Sequence, residues 1–139
     1  MSLVHKIDLP TFADARGGLV AVEAGKQTSF DFERVYFIYG NEQNEARGFH
    51  AHRELQQLAI CVAGSCKVVL DDGDKREDVL LEQPNEGLLI DKMIWREMNS
   101  FSPDCVLLVL ASKHFDEADY IHDYDEFQTL KENSQYLKA

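Results

Sequence analysis

The stretch Arg47-Gly48-Phe49-His50-Ala51-His52, followed by Gln57 and Gly64, carries the pattern that decides the fold. Side chains alternate along an extended strand, so His50 and His52 point to the same side of it. Histidine pairs separated by one residue also occur for purely structural reasons. This pair lies between a glycine-containing loop and an apolar strand, beside an arginine, and that setting favours a functional role.

On both sides of this stretch the chain consists of short strand-like segments separated by turns. Apolar or alternating runs occupy 18–23, 34–39, 58–62, 67–70, 79–81, 87–90 and 106–110, with turn sequences such as Asp72-Gly73-Asp74 between them. Many short strands with regularly spaced turns predict an all-β sandwich or barrel. Only the C-terminal segment has helical spacing, from about Asp116, carried by Tyr120, Tyr124, Phe127 and Leu130.

Length and composition place the chain among ordinary globular proteins. Its 139 residues are 45% hydrophobic and 28% charged, which predicts one folded domain over residues 1–139 and excludes a disordered chain. The net charge of −11 excludes a typical nucleic-acid binder. Residues 1–70 carry only −1 of this charge and residues 71–139 carry −10, so the half that holds the histidine pair remains suitable for an anionic ligand.

The sequence also predicts the location of the protein in the cell. The longest apolar run, 105–111, is too short to cross a membrane, and no targeting segment is visible. Cys61, Cys66 and Cys105 form an odd set in or beside apolar stretches. We expect buried, reduced thiols in a cytoplasmic protein.

The histidine stretch, together with Gln57 and Gly64, resembles the first motif of the cupin superfamily. That resemblance implies a jelly roll (double-stranded β-helix) with the site inside the barrel and a short C-terminal helical segment. Cupins usually bind a metal through the two histidines, a glutamate and a later histidine. Here Gln57 stands at the glutamate position and Arg96 near the last histidine. Arginine is never a metal ligand, so we expect no metal and no other cofactor, and acid–base chemistry by the imidazoles.

A closer resemblance covers about 120 residues. Segments 14–23, 34–36, 47–52, 64–73, 95–98, 101–112 and 119–121 are similar to the small cupin dTDP-sugar 3,4-ketoisomerases, the WxcM-like group. The resemblance implies movement of the keto group of dTDP-4-oxo-6-deoxy-D-glucose from C4 to C3 through an enediol. That reaction belongs to deoxysugar and aminosugar biosynthesis, as for lipopolysaccharide or S-layer glycans. It also implies a homodimer joined through sheet edges, with N-terminal strands available for exchange between subunits.

With this resemblance, roles can be assigned to individual residues. His52 is interpreted as the base that shuttles a proton between C3 and C4, with His50 moving a proton between the oxygens, although the two could exchange roles. Tyr36 would hydrogen-bond nearby, and Arg16 and Arg47 would hold the diphosphate. Weaker candidates for contact with the substrate are Gln57, Ser65, Lys67, Trp95 and Arg96.

Several of these residues have structural alternatives. Tyr36 could be core, Arg16 could pair with Asp14 or Glu23, Lys67 could face solvent, and Gln57 could satisfy buried backbone. The remaining histidines are interpreted as surface residues: His5, His114 and His122.

Three other functions compete with the ketoisomerase. A dTDP-sugar 3,5-epimerase would use a similar barrel and the same 4-oxo sugar, but would exchange the proton at C5. A non-catalytic cupin would bind the sugar nucleotide and needs no titratable pair. A metal-dependent cupin dioxygenase is disfavoured by Gln57 and Arg96. The configuration at C4 of a 3-oxo product, gluco or galacto, stays open.

Overall fold

The computed structural model describes residues 2–41 and 45–138, with side chains to Ser134. Short segments rich in β-branched, aromatic and leucine residues form its strands. In chain order they are His5–Asp8 (β1), Thr11–Asp14 (β2), Gly17–Val20 (β3), Arg34–Ile38 (β4), Arg47–His52 (β5), Gln57–Ala63 (β6), Cys66–Asp71 (β7), Arg76–Leu81 (β8), Glu86–Ile90 (β9), Trp95–Asn99 (β10), Val106–Ala111 (β11) and Tyr120–Ile121 (β12). A 3-10 turn, Glu117–Asp119, precedes β12, and one helix, Tyr124–Lys138 (α1), follows it.

Two five-stranded antiparallel sheets enclose the core. The first has the order β1-β9-β6-β11-β4 and the second β12-β5-β10-β7-β8, while β2 and β3 form a separate hairpin. Because side chains alternate, each strand sends every second residue inward; on β11 these are Leu107, Val109 and Ala111. The inward residues of both sheets form one cluster that includes Ala59, Val68 and Leu107. This is the jelly roll that the sequence predicts.

Each sheet also has a covered outer face. The N-terminal segment packs Leu9 against Leu58 and Ile60 of β6. On the second sheet, Phe127 of α1 packs with Ala51 and Trp95. Ala51 therefore points to the helix side of β5, and the alternation turns His50 and His52 to the interior.

The predicted start of the C-terminal helix, about Asp116, is wrong. Residues 117–119 form the 3-10 turn, and Tyr120 pairs with His52 across β12 and β5. The helix begins at Tyr124, where the Asp123 carboxylate accepts a hydrogen bond of 2.8 Å from the Asp125 amide, a typical N-cap. The strand pairing satisfies backbone groups that a longer helix would have to bond internally.

Sequence periodicity located most of the other strands but not all of them. β1, β2, β5, β10 and β12 were not among the predicted runs, because they are short or contain charged residues or histidines. For β5, the sequence predicted only that His50 and His52 share one side. Among the residues that the structure describes, no helix is both long and apolar enough to cross a membrane.

Candidate active site

A cavity of about 440 Å³ opens beside the inner side of β5. It brings together residues that are far apart in the sequence, from β4, β5, β10 and the segment around β12. Its polar lining consists of Arg34, Tyr36, Arg47, His50, Tyr120 and His122. Ile38 and Met98 contribute apolar lining. Such a mixture of an apolar wall and a few converging polar groups is typical of small-molecule sites.

An irregularity in β5 aims the first histidine at this cavity. Gly48 and Phe49 both have positive φ angles, +102° and +42°, and the pairing of β5 with β10 shifts register at this point. A Cβ atom on Gly48 would lie only 3.3 Å from the Arg96 carbonyl oxygen, so a glycine is required. His50 then donates from Nδ1 to the Gly48 carbonyl at 2.6 Å, which leaves Nε2 as its free nitrogen.

The second histidine lies deeper and is held by Asp119. His52 is 1% exposed, and its Nδ1 donates to the Asp119 carboxylate at 3.0 Å. That carboxylate also accepts from the Glu54 amide at 2.7 Å and the Leu55 amide at 3.3 Å. Among the described residues, His52 Nε2 is buried without a hydrogen-bond partner. The two imidazole rings meet edge to face with centroids 4.8 Å apart.

The surroundings keep both imidazoles neutral. Burial, followed by the positive charge of Arg96, lowers the pKa of His50 to about 4. The same two causes hold the pKa of His52 well below its ordinary value. A carboxylate such as that of Asp119 favours the charged imidazole, but burial and the nearby cations dominate. At neutral pH both side chains are therefore able to accept a proton.

A hydrogen-bonded chain runs from Arg96 through Gln57 to Tyr36. Arg96 is 1% exposed, its pKa is lowered by burial to about 10, and its guanidinium donates to the Gln57 side-chain oxygen. Gln57 Nε2 in turn donates to the Tyr36 hydroxyl at 3.0 Å. Burial raises the pKa of Tyr36, so its hydroxyl stays protonated. Because that oxygen already accepts from Gln57, its own hydrogen is free to be donated into the cavity.

These residues do not fit a divalent metal. Gln57 and Arg96, which stand where cupins usually place two ligands, bond to each other, and Arg96 adds a fixed positive charge. Within the described part of the chain, the histidine pair belongs to no group of three His, Cys, Asp or Glu side chains close enough to hold an ion. The donor set therefore favours proton transfer.

Two arginines lie at the cavity. Arg34 and Arg47 both line it, and neither has a carboxylate within ion-pair distance among residues 2–41 and 45–134. Arg34 lies over the rings of Tyr36 and Phe115, with its Cζ atom 5.5 Å and 5.7 Å from their centroids. Arginines without a carboxylate partner are suited to binding an anion.

Seven predicted site residues do not line this cavity. Three of them adjoin residues that do: His52 packs against His50, Gln57 donates to Tyr36, and Arg96 pairs with His50 across the strands. The other four lie elsewhere. Arg16 is at the β2–β3 turn, where its 91% exposed side chain pairs with Asp14 at 2.6 Å. Lys67 faces solvent in an ion pair with Asp78. Ser65 lies in the turn after β6, at the far end of that strand from Gln57. Trp95 is buried beneath α1 and donates to Glu97.

Four cavity or support residues were missed by sequence reasoning. Arg34 was interpreted only as part of a strand, and Tyr120 and Asp119 as part of a helix. His122 is exposed, as predicted, but its second role was missed: it stacks on Tyr120 with ring centroids 5.2 Å apart and lines the cavity. Only the strand pairing of residues 120–121 with β5 brings this segment to the histidines.

Comparison with known proteins identifies the family. The family model described as FdtA: WxcM-like, C-terminal matches residues 2–132. The chain is 46% identical over 122 residues to TDP-4-oxo-6-deoxy-alpha-D-glucose-3,4-oxoisomerase of Aneurinibacillus thermoaerophilus, which covers 88% of each chain.

Solved structures agree with this assignment. A 3,4-ketoisomerase from Helicobacter canadensis is 43% identical, with a TM-score of 0.89 over 93% of this chain and 97% of that one. QdtA, a sugar 3,4-ketoisomerase from Thermoanaerobacterium thermosaccharolyticum in complex with TDP, is 39% identical, with a TM-score of 0.92 over 95% and 96%. A barrel whose inner wall carries a neutral histidine pair, matched to these relatives over nearly its whole length, belongs to the FdtA, WxcM-like family of cupins.

Proposed function

We propose that this protein is a 3,4-ketoisomerase that converts TDP-4-oxo-6-deoxyglucose into the corresponding 3-oxo sugar. The observation that carries the proposal is a neutral His50 and a hydrogen-donating Tyr36 in the same cavity. The reaction needs a base for the proton on C3 and a donor for the oxygen that becomes anionic. The relative from Aneurinibacillus thermoaerophilus is named for this sugar nucleotide, and QdtA is a sugar 3,4-ketoisomerase with TDP bound.

His50 is the base in this proposal. The order of the two histidines, left open by the sequence, follows here from access: His50 lines the cavity, whereas His52 is 1% exposed. The ketone at C4 acidifies the proton on C3, and the free Nε2 of His50 takes it. The same nitrogen then returns the proton to C4, because a single imidazole can reach two adjacent carbons.

Tyr36 stabilises the enediolate. When the C3 proton leaves, negative charge develops on the oxygen at C4, and the Tyr36 hydroxyl donates a hydrogen bond to it. Arg96 polarises this donor through Gln57, so the positive charge acts at the oxygen without contacting it. Tyr36 passes its proton to that oxygen and recovers one from the hydroxyl at C3, which completes the isomerisation without net gain or loss of atoms.

His52 supports the base. Asp119 accepts the hydrogen of Nδ1 and so fixes the tautomer and the ring plane of His52. The ring of His52 packs against His50 and keeps water from that side of it. His52 and Asp119 therefore act as positioning residues.

The diphosphate is bound at the arginine side of the cavity. Arg34 and Arg47 line it in the same chain, and their planar guanidinium groups suit phosphate oxygens. Arg16 contributes only if the β2–β3 hairpin of a second copy reaches this cavity. Ser65, Lys67 and Trp95 have no substrate contact in this proposal.

A homodimer is supported by exposed apolar side chains. β4 is an edge strand of the first sheet. Its outward residues Val35 and Phe37 are each 58% exposed, and Tyr39, directly after the strand, is 70% exposed. On the β2–β3 hairpin, Phe12 and Leu19 face each other across the pairing and are also exposed. Apolar residues on an unpaired edge are typical of an interface. The three unpaired thiols favour a cytoplasmic location.

The test is turnover of TDP-4-oxo-6-deoxyglucose followed by NMR in deuterated water. We expect a product with its carbonyl at C3. His50→Asn should lower kcat by about 10²–10⁴-fold, the usual contribution of a general base, and His52→Asn by a smaller factor. Deuterium at C5 with a retained 4-ketone would identify an epimerase instead. Binding without turnover would identify a non-catalytic protein, and a larger loss in His52→Asn would reverse the roles of the histidines.

A further inference from the structure

The three cysteines of the chain meet at the end of the barrel interior away from the histidines. Cys61 lies on β6, Cys66 opens β7, and Cys105 directly precedes β11. Their sulfur atoms nevertheless all lie within 4.8 Å of one another. Each is at most 1% exposed, and none forms a disulfide. In the part of the chain that the structure describes, no other three His, Cys, Asp or Glu side chains are close enough to share an ion.

This cluster is separate from the active site. Gln57, Ala59 and Cys61 follow one another on the same inner face of β6. At about 3.3 Å per residue, Cys61 lies about 13 Å along the strand from Gln57. Ala59 and its apolar neighbours fill the space between. A ligand at the cysteines is therefore distinct from one held by the histidine pair.

The turn between β6 and β7 builds the cluster. Gly64 has a φ of +67°, and a Cβ atom there would lie 2.8 Å from the Cα atom of Cys105. The Ser65 amide donates to the Ser102 hydroxyl, and the Ser102 amide donates to the Ser65 carbonyl, both at 2.9 Å. The Cys105 amide then donates to the Ser102 carbonyl at 3.0 Å. Cys105 is thus held against the other two thiols before any ligand binds.

The spacing of the sulfurs fits a metal ion. The Sγ atoms of Cys61 and Cys105 are 3.7 Å apart. A metal with bonds of about 2.3 Å to sulfur separates its sulfur ligands by about 3.8–4.0 Å, for tetrahedral or trigonal geometry. The thiols therefore need to move little to bind one ion together.

The number of donor groups in the cluster distinguishes between the metals that it could bind. Structural zinc almost always takes four ligands, and among the described residues no carboxylate or imidazole joins the three thiols. Thiolates select soft ions, foremost Cu(I) and zinc. A three-sulfur site closed off in an apolar core thus favours Cu(I), which accepts a low coordination number.

We propose that Cys61, Cys66 and Cys105 form a second, non-catalytic site that binds one Cu(I) ion. The ion replaces thiol protons, which leave to solvent, and no oxidation state changes. The two residues that follow Cys61, Val62 and Ala63, are exposed. A bound ion links β6, β7 and the start of β11, and so stabilises this end of the barrel.

The experiment titrates Cu(I) into the reduced, full-length protein under anaerobic conditions, in competition with the chelator bicinchoninate. We expect one ion per chain, a sulfur-to-copper charge-transfer band in the near ultraviolet, and a raised Tm. Cys61→Ala and Cys105→Ala should each lose this tight binding. Val68→Ala, which truncates a buried neighbour and retains all three thiols, should still bind one ion and controls for destabilisation.

Two further measurements locate the ion. A His50→Asn/His52→Asn double variant should keep full binding, and loss of binding there would overturn the proposal. X-ray absorption on the wild-type copper complex, which needs no folded variant, should show three sulfur ligands. Nitrogen or oxygen ligands, unchanged binding in the cysteine variants, or stronger binding of Zn(II) than of Cu(I) would each overturn it.

Discussion

At the scale of single residues, the site depends on one buried charge. Burial first, and then the positive charge of the buried Arg96, lowers the pKa of both His50 and His52. The same guanidinium polarises Gln57 and, through it, Tyr36. Burial and this cation together keep the base neutral, and the cation also strengthens the donor; enolisation requires both a base and a donor.

The pH dependence of activity follows from this electrostatics. A base works only when neutral, and the lowered pKa of His50, about 4, moves its protonation to lower pH. We expect kcat/KM to stay level as the pH falls through 6.5 and to decline only towards pH 4. Arg96→Gln removes the charge and should move this decline to higher pH. Initial rates, measured on protein shown to be folded at each pH, test this prediction. A decline of the wild-type kcat/KM centred at or above pH 6.5 would contradict it.

We expect catalysis to require the side-chain amide of Gln57. In Gln57→Glu a carboxylate still accepts from Arg96 but no longer donates to Tyr36 and also neutralises the buried charge. We expect kcat to fall by about 10-fold or more, equal to at least about 1.4 kcal/mol of transition-state stabilisation. Steady-state kinetics would measure it. Gln56→Glu, at the neighbouring residue whose amide contacts Asp91 at the surface, is the matched control, and equal losses in both variants would contradict the proposed role.

At the scale of elements, the short strand β12 completes the site. Its pairing with β5 sets Tyr120 opposite His52, and Asp119, just before it, ties the strand to the backbone that follows β5. At the other end of β5, the bulge at Gly48 and Phe49 orients His50 towards the cavity. Between these two irregularities the histidine pair is held by backbone geometry.

Asp119 is predicted to couple stability to catalysis. Asp119→Ala leaves two backbone amides and the His52 Nδ1 without their acceptor. The Glu54 amide is exposed and can bond water instead, but an unsatisfied buried donor such as His52 Nδ1 costs about 1–3 kcal/mol. We therefore expect a loss of that order in the free energy of unfolding, together with reduced kcat. Denaturant titration and kinetics would measure both. Asp116→Ala, which removes the cap of the 3-10 turn but no contact to His52, serves as control. Wild-type kcat in Asp119→Ala would show that His52 needs no positioning.

At the scale of the whole molecule, the histidine pair and the cysteine cluster lie at different positions along the barrel. The histidine pair and Arg34 lie towards the Gln57 end of β6, and the cysteine cluster lies towards its other end. The exposed apolar edge of β4 lies on the outside of the same wall that carries Arg34 and Tyr36 inside. A second copy docked on this edge would therefore lie directly behind two residues of the site.

A charged substitution in the exposed edge of β4 tests whether this edge forms the proposed dimer interface. Phe37→Asp places a carboxylate in the apolar edge of β4, and we expect the dimer to dissociate into monomers. Sedimentation velocity over a range of concentrations would detect the change. Glu33→Ala, just before the same strand, is the control and should leave the dimer intact. Monomeric wild-type protein, or a dimer unaffected by Phe37→Asp, would contradict an interface at β4.

How much of this could be predicted from the sequence differs between fold and site. The alternation of apolar residues was sufficient for the all-β class, since that signal is local, whereas the jelly roll was implied by the resemblance of the histidine stretch to cupins. The helix start failed because spacings of three and four at Tyr120 and Tyr124 continue across a strand and a turn. Asp119 and His122 were missed for the same reason, as nothing local indicates that this segment pairs with β5.

By itself, the sequence determined the all-β class, the shared face of His50 and His52, and the departures from the usual metal-binding pattern at Gln57 and Arg96. Only the tertiary structure decided which charges meet. In the folded chain Arg96 hydrogen-bonds to Gln57, which donates to Tyr36, and His52 donates to Asp119. Arg34 lines the cavity, whereas Arg16 lies in the β2–β3 turn outside it. The physical reason is that side-chain alternation is a property of one strand, whereas hydrogen bonds, burial and pKa shifts depend on which strands lie side by side.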